Sequence, residues 1–99
     1  MDSTLVIRAV IRGRVQGVGY RAWIHHQAEL RGLEGWVRNR RDGSVEALFA
    51  GPAETVRAML QVCRSGPASA RVEGIDTSDA DERALMHPGS GRFEVLPTA

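Results

Sequence analysis

The chain reads Gly13-Arg14-Val15-Gln16-Gly17-Val18-Gly19-Tyr20-Arg21 between an alternating apolar segment and an amphipathic one. Its three glycines allow the backbone to turn tightly, with positive φ where the turn requires it. A run of backbone N–H groups can then face one concavity at the positive end of the following helix, where an anion is stabilised. Arg21 adds a planar, permanently charged guanidinium that suits phosphate. The stretch therefore predicts a strand, a phosphate-binding loop and a helix, in that order.

The segment before this loop has the two-residue period of a β-strand, and the segment after it has the period of a helix. Before the loop, two sets of residues alternate along the chain, as they do on the two faces of a strand, and the glycine loop ends this strand. The two sets are Leu5, Ile7, Ala9 and Ile11, and Val6, Arg8, Val10 and Arg12. After the loop, a helix is predicted from about Arg21 to Arg31, with Gly32 as its stop. Its apolar face comprises Tyr20, Ile24 and Ala28, with Trp23 and Leu30 beside them.

The rest of the chain continues the alternation of strands and helices. Strands are predicted over Leu33–Arg40 and Ser44–Ala50, joined by a turn at Arg41-Asp42-Gly43, then near Arg71 with a bulge at Gly74, and at Phe93–Val95. A second helix is predicted between Gly51-Pro52 and Gly66-Pro67, with Val56, Met59, Leu60 and Cys63 on its apolar stripe. The polar, Gly/Pro-containing segment from Thr77 to Gly91 is predicted to be a loop.

This order predicts an α+β fold, a ferredoxin-like βαββαβ sandwich. We expect an antiparallel sheet of four main strands plus a short C-terminal strand, with two helices packed on one face. A right-handed crossover makes the first two strands parallel and leaves room for the third between them. Both therefore end at the same edge of the sheet, which brings Asn39 within one or two strand spacings of the glycine loop, roughly 5–10 Å.

Two motifs, in this order, resemble those of the acylphosphatase family. The first is Gly13-x-Val15-Gln16-Gly17-Val18-x-Tyr20-Arg21, and the second is Gly35-Trp36-Val37-x-Asn39 followed by Asp42-Gly43-Ser44-Val45-Glu46. The resemblance extends from Leu5 to Val95 and implies one acylphosphatase-like domain over residues 1–99, with a core from about 5 to 96. It also implies metal-free hydrolysis of acyl phosphates to carboxylate and phosphate, with Arg21 binding phosphate and Asn39 orienting water.

The residue types in the two motifs agree with that chemistry. They include no nucleophile–base set and no carboxylate pair, since Asp42 and Glu46 are predicted to be a turn residue and an exposed strand residue. Such a site suits a leaving group that needs no proton, and a carboxylate with a conjugate-acid pKa of roughly 4 is one. The candidate catalytic residues are Arg21 and Asn39. The candidate phosphate-binding residues are Val15, Gln16, Gly17, Val18, Gly19, Tyr20 and Arg21.

Composition excludes several other chemistries. The chain has 99 residues with a formal net charge of +1, and all 13 basic residues are arginine, so neither a Schiff-base lysine nor a Walker lysine is present. A single cysteine, Cys63, excludes an internal disulfide and a cysteine-rich metal site, and its place on the apolar stripe predicts burial in the core. His25 and His26 are adjacent rather than four apart and are predicted to be surface residues. No metal or cofactor is predicted.

The predicted partners are small. We expect a small-molecule acyl phosphate as substrate, and inorganic phosphate or sulfate as other occupants of the loop. The near-zero net charge gives no reason to expect nucleic acid. The N-terminus lacks a signal-peptide pattern and no apolar run approaches roughly 20 residues, so we expect a cytoplasmic monomer that does not bind membranes.

Two alternative functions remain open at this stage. Ferredoxin-like sheets also bind RNA through strand aromatics, which in this chain are Trp36, Phe49 and Phe93. Acylphosphatase-like domains also occur in hydrogenase-maturation proteins, which suggests a regulatory domain that binds carbamoyl phosphate. Trp36 is predicted to pack on a helix, and the arginines at 38, 40 and 41 to be solvated. The tail at residues 96–99 is expected to touch neither motif.

Overall fold

The computed structural model describes residues 4–81 and 92–99. Within these residues the chain forms two helices and five strands, and every predicted helix and strand is present. They are β1 (Thr4–Arg14), α1 (Tyr20–Leu30), β2 (Glu34–Asn39), β3 (Val45–Pro52), α2 (Ala53–Ser65), β4 (Arg71–Asp79) and β5 (Phe93–Val95). Neither helix of the described residues is long and apolar enough to cross a membrane.

The strands form one sheet in the order β4-β1-β3-β2-β5. The central strand β3 is antiparallel to both β1 and β2, so β1 and β2 run parallel with β3 between them. This is the predicted ferredoxin-like arrangement. The short strand β5 pairs parallel with β2 and makes the sheet mixed. The parallel direction of β1 and β2 puts their C-terminal ends at the same edge.

The start of the glycine stretch belongs to the sheet rather than to the loop. β1 continues through Gly13 to Arg14, and Gly13 pairs with Val72 of β4. A Cβ on Gly13 would lie 2.2 Å from the carbonyl oxygen of Arg71, so the close pairing requires glycine there. The prediction that the strand ends at Gly13 was therefore wrong, and the loop is limited to residues 15–19.

The edge strand β4 is longer than predicted. It extends to Asp79 and pairs with β1 as far as Ile7, so the prediction of a loop from Thr77 was wrong for residues 77–79. Residues 82–91 of that predicted loop, including His87, lie outside the described residues. The predicted bulge is confirmed, because Arg12 pairs with Gly74 and the register then shifts.

Both helices pack on one face of the sheet, as predicted. The helix residues of the main core are Tyr20, Ile24 and Ala28 from α1 and Val56, Met59 and Cys63 from α2, all buried. Leu30 is 66% exposed, so its predicted place beside the core was wrong. It follows Ala28 by two residues, about 200° around the helix, and so faces away from the sheet.

The opposite face of the sheet carries a second apolar cluster. It consists of Val6, Trp36, Leu48 and Ala50, all buried. Trp36 therefore packs on the sheet face away from the helices, and the prediction that it packs on a helix was wrong. Because β3 is central and covered on both faces, its residues from 45 to 50 are buried without exception.

Glu46 is buried on this second face, at 1% exposure, and the prediction of an exposed residue was wrong. Arg8 of β1 forms an ion pair with it, and Arg38 of β2 donates from Nε to Glu46 Oε1 at 2.7 Å. Burial alone would raise the pKa of Glu46, but the hydrogen bonds from Arg38 and Arg8 outweigh it and lower the pKa. Arg38 also lies 4.9 Å from the centroid of the Trp36 ring, so it is not simply solvated.

Candidate active site

A cleft of about 200 Å³ opens where β1 and β2 end. Its lining residues are Val15, Gln16, Gly17, Gly19, Tyr20, Arg21, Ala22 and Asn39. The glycine loop and the start of α1 form one side, and the last residue of β2 forms the other. Because β3 lies between β1 and β2, the ends of those two strands are about two strand spacings apart, near 10 Å. The structure thus brings Asn39 and the loop together, as the topology predicted.

The loop turns into α1 through two glycines with left-handed backbone. Gly17 has φ 73° and Gly19 has φ 79°, and a Cβ on either would meet nothing within 4 Å. Backbone angle rather than space therefore requires glycine at both positions. Gly19 is the N-cap of α1 and supplies no side-chain hydrogen bond, and the first turn of the helix has no acidic residue. Neither the N-cap residue nor an acidic residue of the first turn therefore caps the first N–H groups of α1.

Arg21 places a cation at the positive end of α1. Its side chain is half-buried, and its Nη1 donates to the carbonyl oxygen of Leu96 at 3.5 Å. Within the described residues, no carboxylate forms an ion pair with Arg21. A cation in the first turn of a helix is unfavourable unless an anion lies beside it. The position therefore makes sense electrostatically when the cleft holds an anion.

Asn39 is the last residue of β2 and pairs with Val45. Its Oδ1 atom is buried and has no hydrogen-bond partner among the described residues. A buried amide oxygen without a donor costs roughly 1–3 kcal/mol. Asn39 thus lines the cleft with an amide oxygen that has no donor within the described residues.

Gln16 makes contacts that the sequence did not reveal. Its Nε2 donates to the carbonyl oxygens of Arg40 at 2.7 Å and of Ser44 at 2.8 Å. These two carbonyls lie on either side of the turn between β2 and β3. The Gln16 side chain thus forms hydrogen bonds from the glycine loop to the turn that follows Asn39.

The turn itself has the predicted local chemistry. Ser44 donates to Asp42 Oδ1 from its backbone N at 2.9 Å and from Oγ at 2.6 Å. These hydrogen bonds from the Ser44 side chain and backbone lower the pKa of Asp42. Arg40 N donates to Ser44 O at 2.9 Å, which closes the turn. Asp42 is thus a turn residue, as predicted.

The C-terminal tail contacts both motifs, and the prediction that it would touch neither was wrong. Leu96 N donates to Val37 O at 2.9 Å, and Ala99 N donates to Asn39 O at 3.0 Å. Arg41 N in turn donates to Ala99 O at 3.0 Å. These bonds extend the parallel pairing of β5 along the edge of β2. All three hydrogen bonds join backbone atoms, so the side chains of the tail gave no indication of these contacts in the sequence.

Two of the predicted loop residues have structural contacts as well. Val18 does not line the cleft, because its side chain packs against the main core and its carbonyl accepts a hydrogen bond from Ser69 Oγ at 2.9 Å. The Tyr20 side chain is buried as predicted, and its hydroxyl donates to Cys63 O at 2.8 Å. Burial raises the pKa of Tyr20. Ala22, which lines the cleft in the first turn of α1, was not predicted.

The other candidate chemical groups lie away from the cleft. Cys63 is buried in the core as predicted, and burial raises the pKa of its thiol to about 12. The His25 ring is half-buried rather than at the surface, with Nε2 3.1 Å from the carbonyl oxygen of Phe93, whereas His26 is exposed. Within residues 4–81 and 92–99, no group of three or more His, Cys, Asp or Glu could hold a metal ion.

The cleft therefore combines a glycine loop, an uncapped helix N-terminus, an arginine and an amide. These groups can stabilise negative charge and orient a neutral molecule, but none is a good proton donor or acceptor near neutral pH. Fold and cleft together define a ferredoxin-like α+β protein whose site is suited to an anionic group.

Comparison with known proteins identifies the family. The model of the acylphosphatase family matches residues 7–95, and the chain belongs to this family. A curated acylphosphatase from Bradyrhizobium diazoefficiens is 57% identical over 98 residues, which is 97% of this chain and 98% of that protein. The predicted family is thus confirmed, and the chain is a hydrolase of the acylphosphatase type.

Solved structures agree with this fold. A crystal structure of acylphosphatase from Bacillus subtilis is 34% identical, with a TM-score of 0.81 over 93% of this chain and 98% of that chain. A structure of full-length HypF in the phosphate- and nucleotide-bound form has a TM-score of 0.82 and matches 99% of this chain but 12% of its own. Because that pair is 18% identical, the match shows a shared fold alone.

Proposed function

We propose that this chain hydrolyses small acyl phosphates to a carboxylate and inorganic phosphate without a metal ion, acting as one domain over residues 1–99. The observation that carries the proposal is the placement of Arg21 and Asn39 on opposite sides of one cleft. Arg21 has no carboxylate partner within the described residues, and the Asn39 amide oxygen has no donor. The site thus offers a charge for phosphate and an acceptor for water.

The phosphoryl group is held by the loop and by the helix. The backbone N–H groups from Val15 to Tyr20 face its oxygens at the positive end of α1, and the Arg21 guanidinium pairs with it. Phosphoryl transfer depends mainly on positioning and electrostatic stabilisation, which this set of groups supplies. Inorganic phosphate, as product, or sulfate, as its analogue, occupies the same place.

Asn39 orients the attacking water. Its Oδ1 accepts a hydrogen bond from a water molecule placed in line with the bond to be broken. A bond forms between the water oxygen and phosphorus while the bond between phosphorus and the acyl oxygen breaks. The leaving group departs as a carboxylate and needs no acid. A phosphate oxygen of the substrate takes the proton of the water, so no protein base is required.

The lining of the cleft supports a mechanism without a metal. Among the described residues, its lining contains no carboxylate, imidazole or thiol, the side chains that usually anchor a divalent cation. Positive charge comes instead from Arg21 and the helix. The RNA-binding alternative is not favoured, because Trp36, Phe49 and Phe93 are all buried and offer no exposed ring for base stacking.

The test is hydrolysis of an aryl acyl phosphate by the purified protein in excess EDTA. We expect turnover that survives EDTA and disappears in Arg21→Ala. The matched control is Arg57→Ala, since Arg57 is exposed on α2 and does not line the cleft. Loss of turnover on adding EDTA would contradict the metal-free mechanism. A folded wild type that binds phosphate without turning over substrate would contradict the hydrolase proposal and favour a regulatory binding domain.

A further inference from the structure

The side chain of Gln16 joins the two halves of the site. Its amide uses both protons at once, donating one to Arg40 O at 2.7 Å and the other to Ser44 O at 2.8 Å. Arg40 follows Asn39 directly, and Ser44 lies across the same turn. The residue that belongs to the glycine loop is therefore bonded to the backbone that carries Asn39.

Both acceptor carbonyls already have a backbone donor. Arg40 O accepts from Gly43 N at 3.1 Å, and Ser44 O accepts from Arg40 N at 2.9 Å. The turn is also stabilised by Asp42, which accepts two hydrogen bonds from Ser44. The Gln16 bonds are thus not needed to close the turn or to satisfy its carbonyls. What they add is a fixed distance between the turn and the glycine loop.

We propose that Gln16 is a positioning residue that acts through Asn39. Its side chain holds the end of β2 against the glycine loop, so that the water bound by Asn39 lies in line with the phosphoryl group held by that loop. The inference rests on the function proposed above, and it assigns Gln16 a side-chain role distinct from that of its backbone N–H. A displacement of about 1 Å between reacting groups can lower turnover by up to about a hundredfold.

The test is a double-mutant cycle of Gln16→Met and Asn39→Ala. Methionine keeps the length of the side chain and removes its donors, and it leaves neither carbonyl without a partner, so the variant is expected to fold. We expect Gln16→Met to lower kcat for an aryl acyl phosphate by about tenfold or more, with inhibition by inorganic phosphate changed less than about twofold. In the Asn39→Ala background, Gln16→Met should change kcat by less than about twofold.

A glutamine of another part of the fold provides the control. Gln27 on α1 accepts from Arg31 Nη1 at 2.9 Å and does not line the cleft, so Gln27→Met should leave kcat and phosphate inhibition unchanged. If Gln16→Met lowered kcat equally with and without Asn39, or weakened phosphate inhibition instead, the positioning role would be refuted while the hydrolase proposal stood. If Asn39→Ala hydrolysed the substrate at the wild-type rate, the proposed role of Asn39 would be refuted, and the role of Gln16, which depends on it, would be refuted as well.

Discussion

Arg21 and Leu96 are in contact across the edge of the sheet, with Arg21 Nη1 donating to the Leu96 carbonyl oxygen at 3.5 Å. The acceptor is a neutral backbone group at long range, so the bond is weak. It leaves the charge of the guanidinium uncompensated among the described residues. The tail therefore contacts Arg21 without neutralising its charge.

This contact predicts that shortening the tail will weaken substrate binding. A variant that ends at Leu96 has a carboxylate where Arg21 now meets a carbonyl, and the new ion pair competes with phosphate. We expect KM and the phosphate inhibition constant to rise about two- to fivefold, as for a partly exposed ion pair. Pro97→Ala, which keeps every backbone donor and acceptor of the tail, is the matched control. Because salt screens such pairs, the differences in KM and in the phosphate inhibition constant between the shortened variant and the wild type should become smaller in about 1 M NaCl. Differences that did not change with salt would contradict this explanation.

Asn39 allows a second prediction that separates binding from turnover. Asn39→Ala removes the buried Oδ1 acceptor and leaves Arg21 and the glycine loop intact. We expect kcat to fall by about 10²-fold or more while phosphate inhibition stays nearly constant. Steady-state kinetics with phosphate as a competitive inhibitor measures both quantities. Full activity in this variant would show that water is oriented by another group.

Much of the fold followed from local pattern. The alternation in β1, the four-residue spacing in α1 and the breaks at Gly32, Pro52 and Gly66 predicted the order of the elements, because each pattern reflects one buried face. The right-handed crossover then placed Asn39 near the glycine loop. This is a consequence of topology rather than of any single residue.

What could not be predicted depends on contacts between distant strands. Glu46 was predicted to be an exposed strand residue because it is charged, but its burial depends on Arg8 and Arg38 from neighbouring strands. Gln16 bonds to a carbonyl 24 residues away, and a carbonyl acceptor has no sequence signature. Residues 77–79 lie at the edge of the sheet with exposed side chains, so they lack the apolar alternation that marks a buried strand.

Gly35 provides a prediction about stability rather than catalysis. It has φ 138°, and a Cβ there would lie 1.8 Å from the carbonyl oxygen of Leu48. Gly35→Ala must push β2 away from β3, so we expect it to destabilise the fold by more than about 4 kcal/mol or to prevent folding. Gly43→Ala is the control, because its Cβ would meet nothing within 4 Å and only the backbone angle is strained, at about 1–2 kcal/mol. Thermal unfolding curves that were alike for the two variants would refute the steric reason for glycine in the second motif.

The buried carboxylate of Glu46 predicts how stability depends on pH. Its pKa is lowered in the folded chain, because the hydrogen bonds from Arg38 and Arg8 outweigh the effect of burial. The stability it contributes is therefore complete above the unfolded pKa, near 4.3, and is lost as the pH falls through the lower folded value. Glu46→Gln keeps the size of the side chain but loses the charge, and we expect it to cost about 1–3 kcal/mol at pH 7.

As the pH falls from about 4.3 through the lower folded pKa of Glu46, the unfolding free energies of Glu46→Gln and wild type should converge, since the folded wild-type carboxyl becomes protonated over that range. Asp42 and Asp76, whose pKa values are lowered by hydrogen bonds from Ser44 and Arg12, titrate in both proteins and cancel in the comparison. Glu73→Gln, at an exposed position of β4, should follow the wild-type curve throughout. Urea unfolding at a series of pH values measures the difference directly. A gap between Glu46→Gln and wild type that stayed constant down to about pH 2 would mean that the stabilisation comes from packing rather than from charge.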